Sequence, residues 1–283
     1  MTMTTLREAL GRNQPLIIPS IYDGMSALLV REAGFQAAYI GSYATGATKY
    51  GLPDIGYIGL EDMADQVRRL APVAGVPIVV DGEGGWGNPL HVARAVQVLE
   101  RAGAAAVHIE DHDFGKHLTM RPRVLPVDQA VEKIKAALDA RTSDDFMVIA
   151  RTDAAGVEGP AAAVDRALAY QDAGADGLFV ASPQPLDDAS YRRLRSEARV
   201  PVFAIDLPGQ SAADHARQGA DAVIYFALAH VAAKAGMEAA YKVLAKEASA
   251  VSLEANFGSL WDFDDFLGIA QAREAAMRHA LIE

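Results

Sequence analysis

The stretch Glu100–Asp111, ERAGAAAVHIED, sets the pattern for the whole chain. A helical segment stops at Gly103, a short apolar run follows, and two acids close it. Glycine just past a helix end adopts the left-handed conformation at little steric cost. A short run rich in Val and Ile, bounded this way, suits a strand buried on both faces. The same order recurs in Arg31–Ile40 (REAGFQAAYI), Ala71–Asp81 (APVAGVPIVVD), Gln171–Ala181 (QDAGADGLFVA) and Ala216–Phe226 (ARQGADAVIYF). The glycines at those turns are Gly34, Gly75, Gly174 and Gly219.

Less regular apolar runs complete a set of candidate strands at Leu16–Pro19, Ala37–Gly41, Ile78–Asp81, Ala106–Glu110, Met147–Arg151, Gly177–Val180, Val202–Ile205 and Ala222–Tyr225. Segments of helical period lie between them, among them Pro89–Arg101, Val127–Ala140 and Ala161–Ala173. Strands alternating with helices predict a parallel sheet with right-handed crossovers. Eight such units over roughly 250 residues predict a (β/α)8 TIM barrel, with a doubly wound open sheet as the alternative. No linker or composition shift divides the chain, so residues 1–283 read as one barrel domain, with a core over 1–230 and a helical extension over 231–283. In that extension Val231–Ala250 and Leu260–Leu281 read as one helix each. Trp261, Phe263, Phe266, Leu267, Ile269 and Ala270 form an apolar stripe on the second. The stripe needs cover, from its own barrel or from a partner subunit.

Composition narrows the function. The chain has 283 residues, with 26 basic against 37 acidic and a net charge of −11. That balance argues against a nucleic-acid partner, which calls for a clustered basic face. With 51% hydrophobic residues the chain can bury a large core. No run reaches the roughly 18 apolar residues of a membrane helix. The opening, MTMTTLREALGRNQ, lacks the apolar core of a signal peptide. The expectation is a cytoplasmic protein with no membrane partner. The absence of cysteine excludes disulfides, thiolate metal sites and a Cys nucleophile.

In a barrel, chemistry sits at the C-terminal ends of the strands. Those ends carry Asp23, then Gly41, Ser42 and Tyr43, then Asp81 and Glu83, then Glu110, Asp111 and His112, then Arg151 and Asp153, and last Asp206. Asp54 lies in the loop after the second strand. A lone strand-end Asp is most often a helix N-cap. Several acids converging on one mouth repel unless a cation or proton neutralises them. Hard oxygen donors without thiolate favour Mg2+ or Mn2+ over zinc. Arg151 adds a permanent cation suited to bidentate capture of a carboxylate or phosphonate.

Two further segments bear on the site. Gly82–Gly87, GEGGWG, matches GxGxxG. Asp81 would set a negative charge against a pyrophosphate there, and Asn88-Pro89 starts the helix after the glycines rather than within them. The glycines then serve to let a loop pass close to a small ligand. Lys116 and His117 sit in the long loop His112–Pro126. Such a loop can close as a lid and carry Lys116 over a substrate, although a lone loop Lys is ordinarily a solvated charge. Near the mouth the candidate proton donors are His112, His117, Tyr43 and Lys116; His112 is preferred for its ordinary pKa and its place beside the strand end.

Several of these strings together resemble the isocitrate lyase/phosphoenolpyruvate mutase superfamily. Val80–Asn88, VDGEGGWGN, resembles its D-A-D-T-G-Y-G-N, and Gly51–Gly56, GLPDIG, its G-L-P-D-L-G. His108–Asp111 resembles its H-I-E-D, Ile149–Ala154 its I-A-R-T-D-A, and Ile18–Ala27 its opening P-x-x-Y-D-A-L-S-A. The matches fall in order from residue 16 to about 226. The resemblance implies a (β/α)8 barrel whose last helix is swapped between subunits, in a homotetramer built as a dimer of dimers. It implies Mg2+ or Mn2+ at Asp81, with Asp54, Glu83 and Glu110 around it, partly through water. It implies an oxo acid held by Arg151 and by the backbone of Gly41, Ser42 and Tyr43, next to Tyr39.

The departures fall on the other half of the site. Glu83 replaces an Asp, and Lys116-His117-Leu118-Thr119-Met120 replaces the lyase branch's K-[KR]-C-G-H, without its Cys. Leu118 stands where the mutase branch has Asn, Ala181 where lyases have Glu, and Ala204-Ile205-Asp206 lacks the Asn after strand seven. The expectation is a Mg2+-dependent carbon–carbon lyase or decarboxylase acting on a small 2-oxo- or 2-hydroxy-dicarboxylic acid through an enolate. Phosphorus–carbon chemistry on a phosphonopyruvate-like acid is the alternative. A catalytically inactive barrel kept as a binding subunit is the third.

Overall fold

In the computed structural model of the chain, the described residues are 4–11, 15–113, 123–181, 185–254 and 258–281. Eight strands run in parallel: β1 (Leu16–Pro19), β2 (Ala38–Ile40), β3 (Ile78–Asp81), β4 (Ala106–Glu110), β5 (Met147–Thr152), β6 (Gly177–Val180), β7 (Val202–Ile205) and β8 (Ala222–Tyr225). Their order is β1-β8-β7-β6-β5-β4-β3-β2. A parallel bridge between Ser20 and Tyr39, with Ile21 N–H donating to Tyr39 O at 2.8 Å, brings the two ends of that order together. An open doubly wound sheet has no such link, so the fold is a nearly closed (β/α)8 TIM barrel.

The helices are α1 (Leu6–Leu10), α2 (Gly24–Glu32), α3 (Ser42–Thr45), α4 (Leu60–Ala74), α5 (Pro89–Ala102), α6 (Val127–Ala140), α7 (Pro160–Asp172), α8 (Asp188–Glu197), α9 (Ala212–Arg217), α10 (Leu228–Glu247), α11 (Leu260–Phe266) and α12 (Ile269–Arg278). Local chemistry sets their ends. Asn88 Oδ1 accepts from Leu90 N at 3.0 Å, and Pro89 takes the first helical position, so α5 starts only after the glycines. A dinucleotide loop, whose third glycine lies inside the helix, is thereby excluded. Asp23, one of the strand-end acids, is an N-cap: its Oδ1 accepts from Ser26 N at 2.8 Å.

The period-two alternation of the strands creates two separate apolar cores. Leu16, Ile18, Val79, Ala106, Met147, Ile149, Phe179, Phe203, Ala222 and Ile224 share one cluster, inside the ring. Their neighbours, such as Ile78, Val80, Val107, Val148, Ala150 and Leu178, join the cluster that packs under the helices. Strand parity therefore directs side chains at the mouth. Asp81 has the parity of Val79, Glu110 that of Ala106, and Arg151 that of Ile149, so all three turn inward.

The chain divides into two compact units, Met1–His230 and Val231–Glu283. The second holds most of α10, then α11 and α12. The single helix expected over Leu260–Leu281 is in fact two, broken where Gly268 takes a left-handed φ of 87°. Likewise α10 begins and ends three residues earlier than the expected Val231–Ala250. Trp261, Phe263 and Leu267 are exposed. Among the described residues no helix is long and apolar enough to cross a membrane.

Candidate active site

Asp81 closes β3 with its carboxylate buried among donors. Oδ2 accepts from Ser42 Oγ at 3.0 Å and lies 3.4 Å from the Tyr39 hydroxyl; Oδ1 accepts from Glu83 N at 2.9 Å. The Ser42 hydroxyl has one proton and stands 3.4 Å from Asp54 Oδ1, so the nearer Asp81 takes it. Beneath Asp81 the Tyr39 and His108 rings stack, with Tyr39 Oη 3.0 Å from His108 Nε2. Burial, and then the nearby Asp81 charge, hold the Tyr39 hydroxyl well above its usual pKa, so it remains a donor. A Tyr39 proton directed at Nε2 places the His108 proton on Nδ1, 3.7 Å from Asp81 Oδ1.

The loop after β3 carries Glu83 in an uncommon conformation, with φ at 49°. Glu83 O accepts from Glu110 N at 2.9 Å, tying that loop to the end of β4. Gly84 O accepts from Lys133 Nζ of α6 at 2.8 Å. Left-handed backbone at a residue with a Cβ is costly and persists where surrounding bonds fix it. Asp81, Glu83 and Glu110 are all buried.

Arg151 supplies the opposing charge. Nε and Nη2 donate to the two oxygens of Asp153 at 3.0 and 2.8 Å, and Nη1 lies 3.2 Å from Glu110 Oε2. The guanidinium also sits 5.5 Å over the Phe179 ring. Burial opposes its charge, but Asp153, Glu110 and Asp81 outweigh that and hold it firmly protonated. Asp111, one residue past Glu110, has the opposite parity and faces α7. There it accepts from Tyr170 Oη at 2.7 Å and steadies Asp153 through the Asp153 N–H at 3.0 Å.

These groups open onto a cavity of about 450 Å3 inside the first unit. Tyr39, Gly41, Tyr43, Asp54, Asp81 and Arg151 line one side of it, and Asp206, Leu207, Pro208 and Phe226 line another. A second cavity of about 420 Å3 is lined by Glu83, Glu110, His112, Asp113 and Lys133. The structure thus brings Tyr39, Gly41, Ser42, Tyr43, Asp54, Asp81 and Arg151 together. Glu83 and Glu110 stand at the border between the cavities. His112 lines the second one, with Nδ1 2.8 Å from Asp113 O. Lys116 and His117 lie outside the described residues. Among the described residues no group of three His, Asp or Glu side chains is poised to hold a metal on its own.

Three participants escaped the sequence reading. Lys133 looks like any polar position of an amphipathic helix, and His230 like any helix-start polar residue. Yet His230 is buried, edge-on to the Tyr43 ring at 5.0 Å, with neither ring nitrogen hydrogen-bonded among the described residues. His108 was legible in principle, since a spacing of two from Glu110 puts it on the same inward face.

Comparison with known proteins agrees with this geometry. The phosphoenolpyruvate phosphomutase family profile matches residues 6–245. The 2-methylisocitrate lyase of Salmonella typhimurium is 43% identical over 202 residues, covering 70% of this chain and 68% of that protein. The 2,3-dimethylmalate lyase of Eubacterium barkeri is 30% identical over 290 residues, 99% of this chain and 98% of that one. A crystal structure of phosphonopyruvate hydrolase with oxalate and Mg2+ superposes with a TM-score of 0.88 at 26% identity, over 97% and 98% of the two chains. The class is that of the lyases of the isocitrate lyase/phosphoenolpyruvate mutase superfamily. Within it, the chain belongs to the phosphoenolpyruvate phosphomutase family.

Proposed function

We propose that this chain is a Mg2+-dependent carbon–carbon lyase or decarboxylase acting on a small 2-oxo- or 2-hydroxy-dicarboxylic acid. The observation that carries the reading is the meeting of buried acids with one partly buried arginine: Asp81 lines the same cavity as Arg151, and Glu110 lies 3.2 Å from Arg151 Nη1. Relatives along the chain are named for lyase activity on methylisocitrate and dimethylmalate, which are acids of this kind.

The donor set fits Mg2+ or Mn2+. It is all oxygen, with Asp81 as the nearest ligand and Asp54, Glu83 and Glu110 as outer acids. The absence of a complete protein cage among the described residues suits an ion that keeps several waters and binds through one or two carboxylates. When bound there, the ion supplies positive charge for the enolate oxygen. Arg151 orients a substrate carboxylate by its planar fork, and its ties to Asp153 and Glu110 hold that fork still. Tyr43, at the start of α3, offers its backbone N–H to the same acid, while the Ser42 N–H donates to Asp81 Oδ2 at 3.4 Å, and Tyr39 packs below. The small residue Ala181 leaves room for the remainder of the substrate. We place this chemistry in a cytoplasmic homo-oligomer, whose exposed Trp261, Phe263 and Leu267 would be covered by another subunit.

The test is turnover of oxaloacetate, 2-methylisocitrate and 2,3-dimethylmalate with and without Mg2+, beside phosphonopyruvate. Mg2+-dependent release of CO2, or of a second acid, from one of the first three supports the reading. Phosphate release from phosphonopyruvate alone would replace it with phosphorus–carbon chemistry. No turnover of any of them would favour a binding subunit.

A further inference from the structure

Cleavage of a bond beside a carbonyl leaves an enolate whose carbon must gain a proton, and this chain has no cysteine to give it. The acids on the Arg151 cavity are Asp54, Asp81, Asp153 and Asp206. Asp153 is committed to Arg151 by two hydrogen bonds, Asp81 accepts the Ser42 hydroxyl proton, and Asp54 stands 3.4 Å from the same hydroxyl oxygen. Asp206 keeps different company. It follows β7 directly, between Ile205 and Leu207, on the cavity wall that Pro208, Ile224 and Phe226 complete. Its Oδ1 accepts from the backbone N–H of Phe226 at 3.3 Å, and among the described residues no Lys or Arg pairs with it.

The titratable groups facing Asp206 are His215 on α9 and Tyr225 on β8. Burial raises the Asp206 pKa above the ordinary carboxyl value, with the Phe226 hydrogen bond and His215 acting against it. Burial also lowers the pKa of His215, so that ring is largely neutral at pH 7 and leaves Asp206 without a full positive neighbour. Burial thus shifts Asp206 toward its carboxyl form relative to an exposed aspartate, and its place after β7 sets it four strands from β3, which carries Asp81, in the barrel order. His112 is less well placed, since it lines the other cavity.

Resting on the function proposed above, we propose that Asp206 is the catalytic acid that protonates the enolate carbon. In a 2-oxo acid the electron pair of the breaking carbon–carbon bond enters the enolate. In a 2-hydroxy acid the hydroxyl proton passes to water at the cavity mouth, the O–H pair forms the new carbonyl, and the carbon–carbon pair enters the enolate of the departing acid. That pair then forms a C–H bond with the Asp206 proton and the carbonyl is restored. The O–H electrons stay on the carboxylate, and water at the cavity mouth returns a proton before the next turnover.

The experiment compares wild type with Asp206→Asn and Asp206→Glu, each as the full chain with Mg2+. The probes are oxaloacetate, 2-methylisocitrate and 2,3-dimethylmalate, with calorimetric binding of oxalate and thermal melting alongside. Asn keeps the size and hydrogen bonding but has no acidic proton. We expect Asp206→Asn to lower kcat by about 10²-fold or more on each acid that the wild type cleaves. KM, oxalate affinity and melting temperature should stay close to wild type, and Asp206→Glu should recover part of kcat. The wild-type kcat should fall as pH rises through the Asp206 pKa, because the donor form is then lost. A wild-type kcat in Asp206→Asn overturns the assignment, as does a loss of oxalate binding that matches the loss of kcat. A wild type inert toward all three acids overturns the function itself, before any variant is compared, and the assignment with it.

Discussion

Glu110 and Arg151 stand opposite each other in the parallel register of β4 and β5, and their side chains meet at 3.2 Å. The last rung of one ladder therefore joins an acid of the metal-binding half of the proposed site to the arginine of the oxo-acid half. Register alone makes the pair, since both residues have inward parity and form the last rung of the β4–β5 ladder.

That geometry makes Arg151→Lys a severe change. Lysine keeps the charge but loses the fork that meets Asp153 through two nitrogens and Glu110 through the third. We expect kcat/KM to fall by roughly 10²-fold or more, chiefly through KM, because substrate-carboxylate capture is lost. Steady-state kinetics on the cleaved acid checks this.

Tyr170→Phe probes the outer support of the same arginine. Tyr170 is buried and donates to Asp111 Oδ2 at 2.7 Å, while Asp111 Oδ1 fixes the Asp153 N–H. Removing the hydroxyl should cost about 1–3 kcal/mol of stability, as a buried carboxylate loses one donor. KM should change little, because Asp111 keeps the Asp153 contact. Chemical denaturation measures the first effect and kinetics the second.

Gly82→Ala should destabilise through the backbone. A Cβ there would lie 2.6 Å from His108 O and 2.6 Å from Val107 Cγ2, so β3 and β4 would have to separate. The cost should be about 1–3 kcal/mol or more, read by denaturation, with activity lost as the Glu83 loop shifts.

Much of this was legible in the sequence, for identifiable reasons. Short Val/Ile runs after helix-ending glycines placed the strands because a both-faces-buried strand leaves a local apolar signature. Six of the eight expected strands match to the residue, while Ala37–Gly41 shrinks to Ala38–Ile40 and Met147–Arg151 extends to Thr152. Strand-end acids and Arg151 were visible because barrel chemistry collects at that end. The break at Gly268 was missed because a periodic apolar stripe continues across it. The separation of His112 from the Arg151 cavity was also missed, since adjacency in sequence says nothing about which side of a loop a ring faces. Lys133 and His230 reach the site from helices, where a single polar residue carries no signal of its own.

Acid pH should expose the buried histidines. Burial lowers the pKa of both His215 and His230 below the ordinary histidine value of 6.5. A depressed folded pKa gives stability that is complete above the unfolded value and lost as pH falls through the folded one. Asp111 and Asp206 have raised pKa values and act in the opposite sense, giving stability at low pH that is lost as pH rises. The melting temperature of the variant carrying both His215→Gln and His230→Gln should therefore drop less between neutral pH and about pH 5 than that of wild type. An equal or steeper drop would show that these rings do not control the acid limb.

Central to the proposed function is one mouth that holds a divalent ion and an oxo acid together, through Asp81 and Arg151. Calorimetric titration of oxalate, a planar mimic of an oxo-acid enolate, tests it most directly in four samples: wild type with Mg2+, wild type with chelator, Asp81→Asn with Mg2+, and Arg151→Lys with Mg2+. Tight binding is predicted in the first sample alone, with at least about a tenfold weakening, or 1.4 kcal/mol, in each of the others. Equal oxalate affinity with chelator, or in Asp81→Asn, would contradict it.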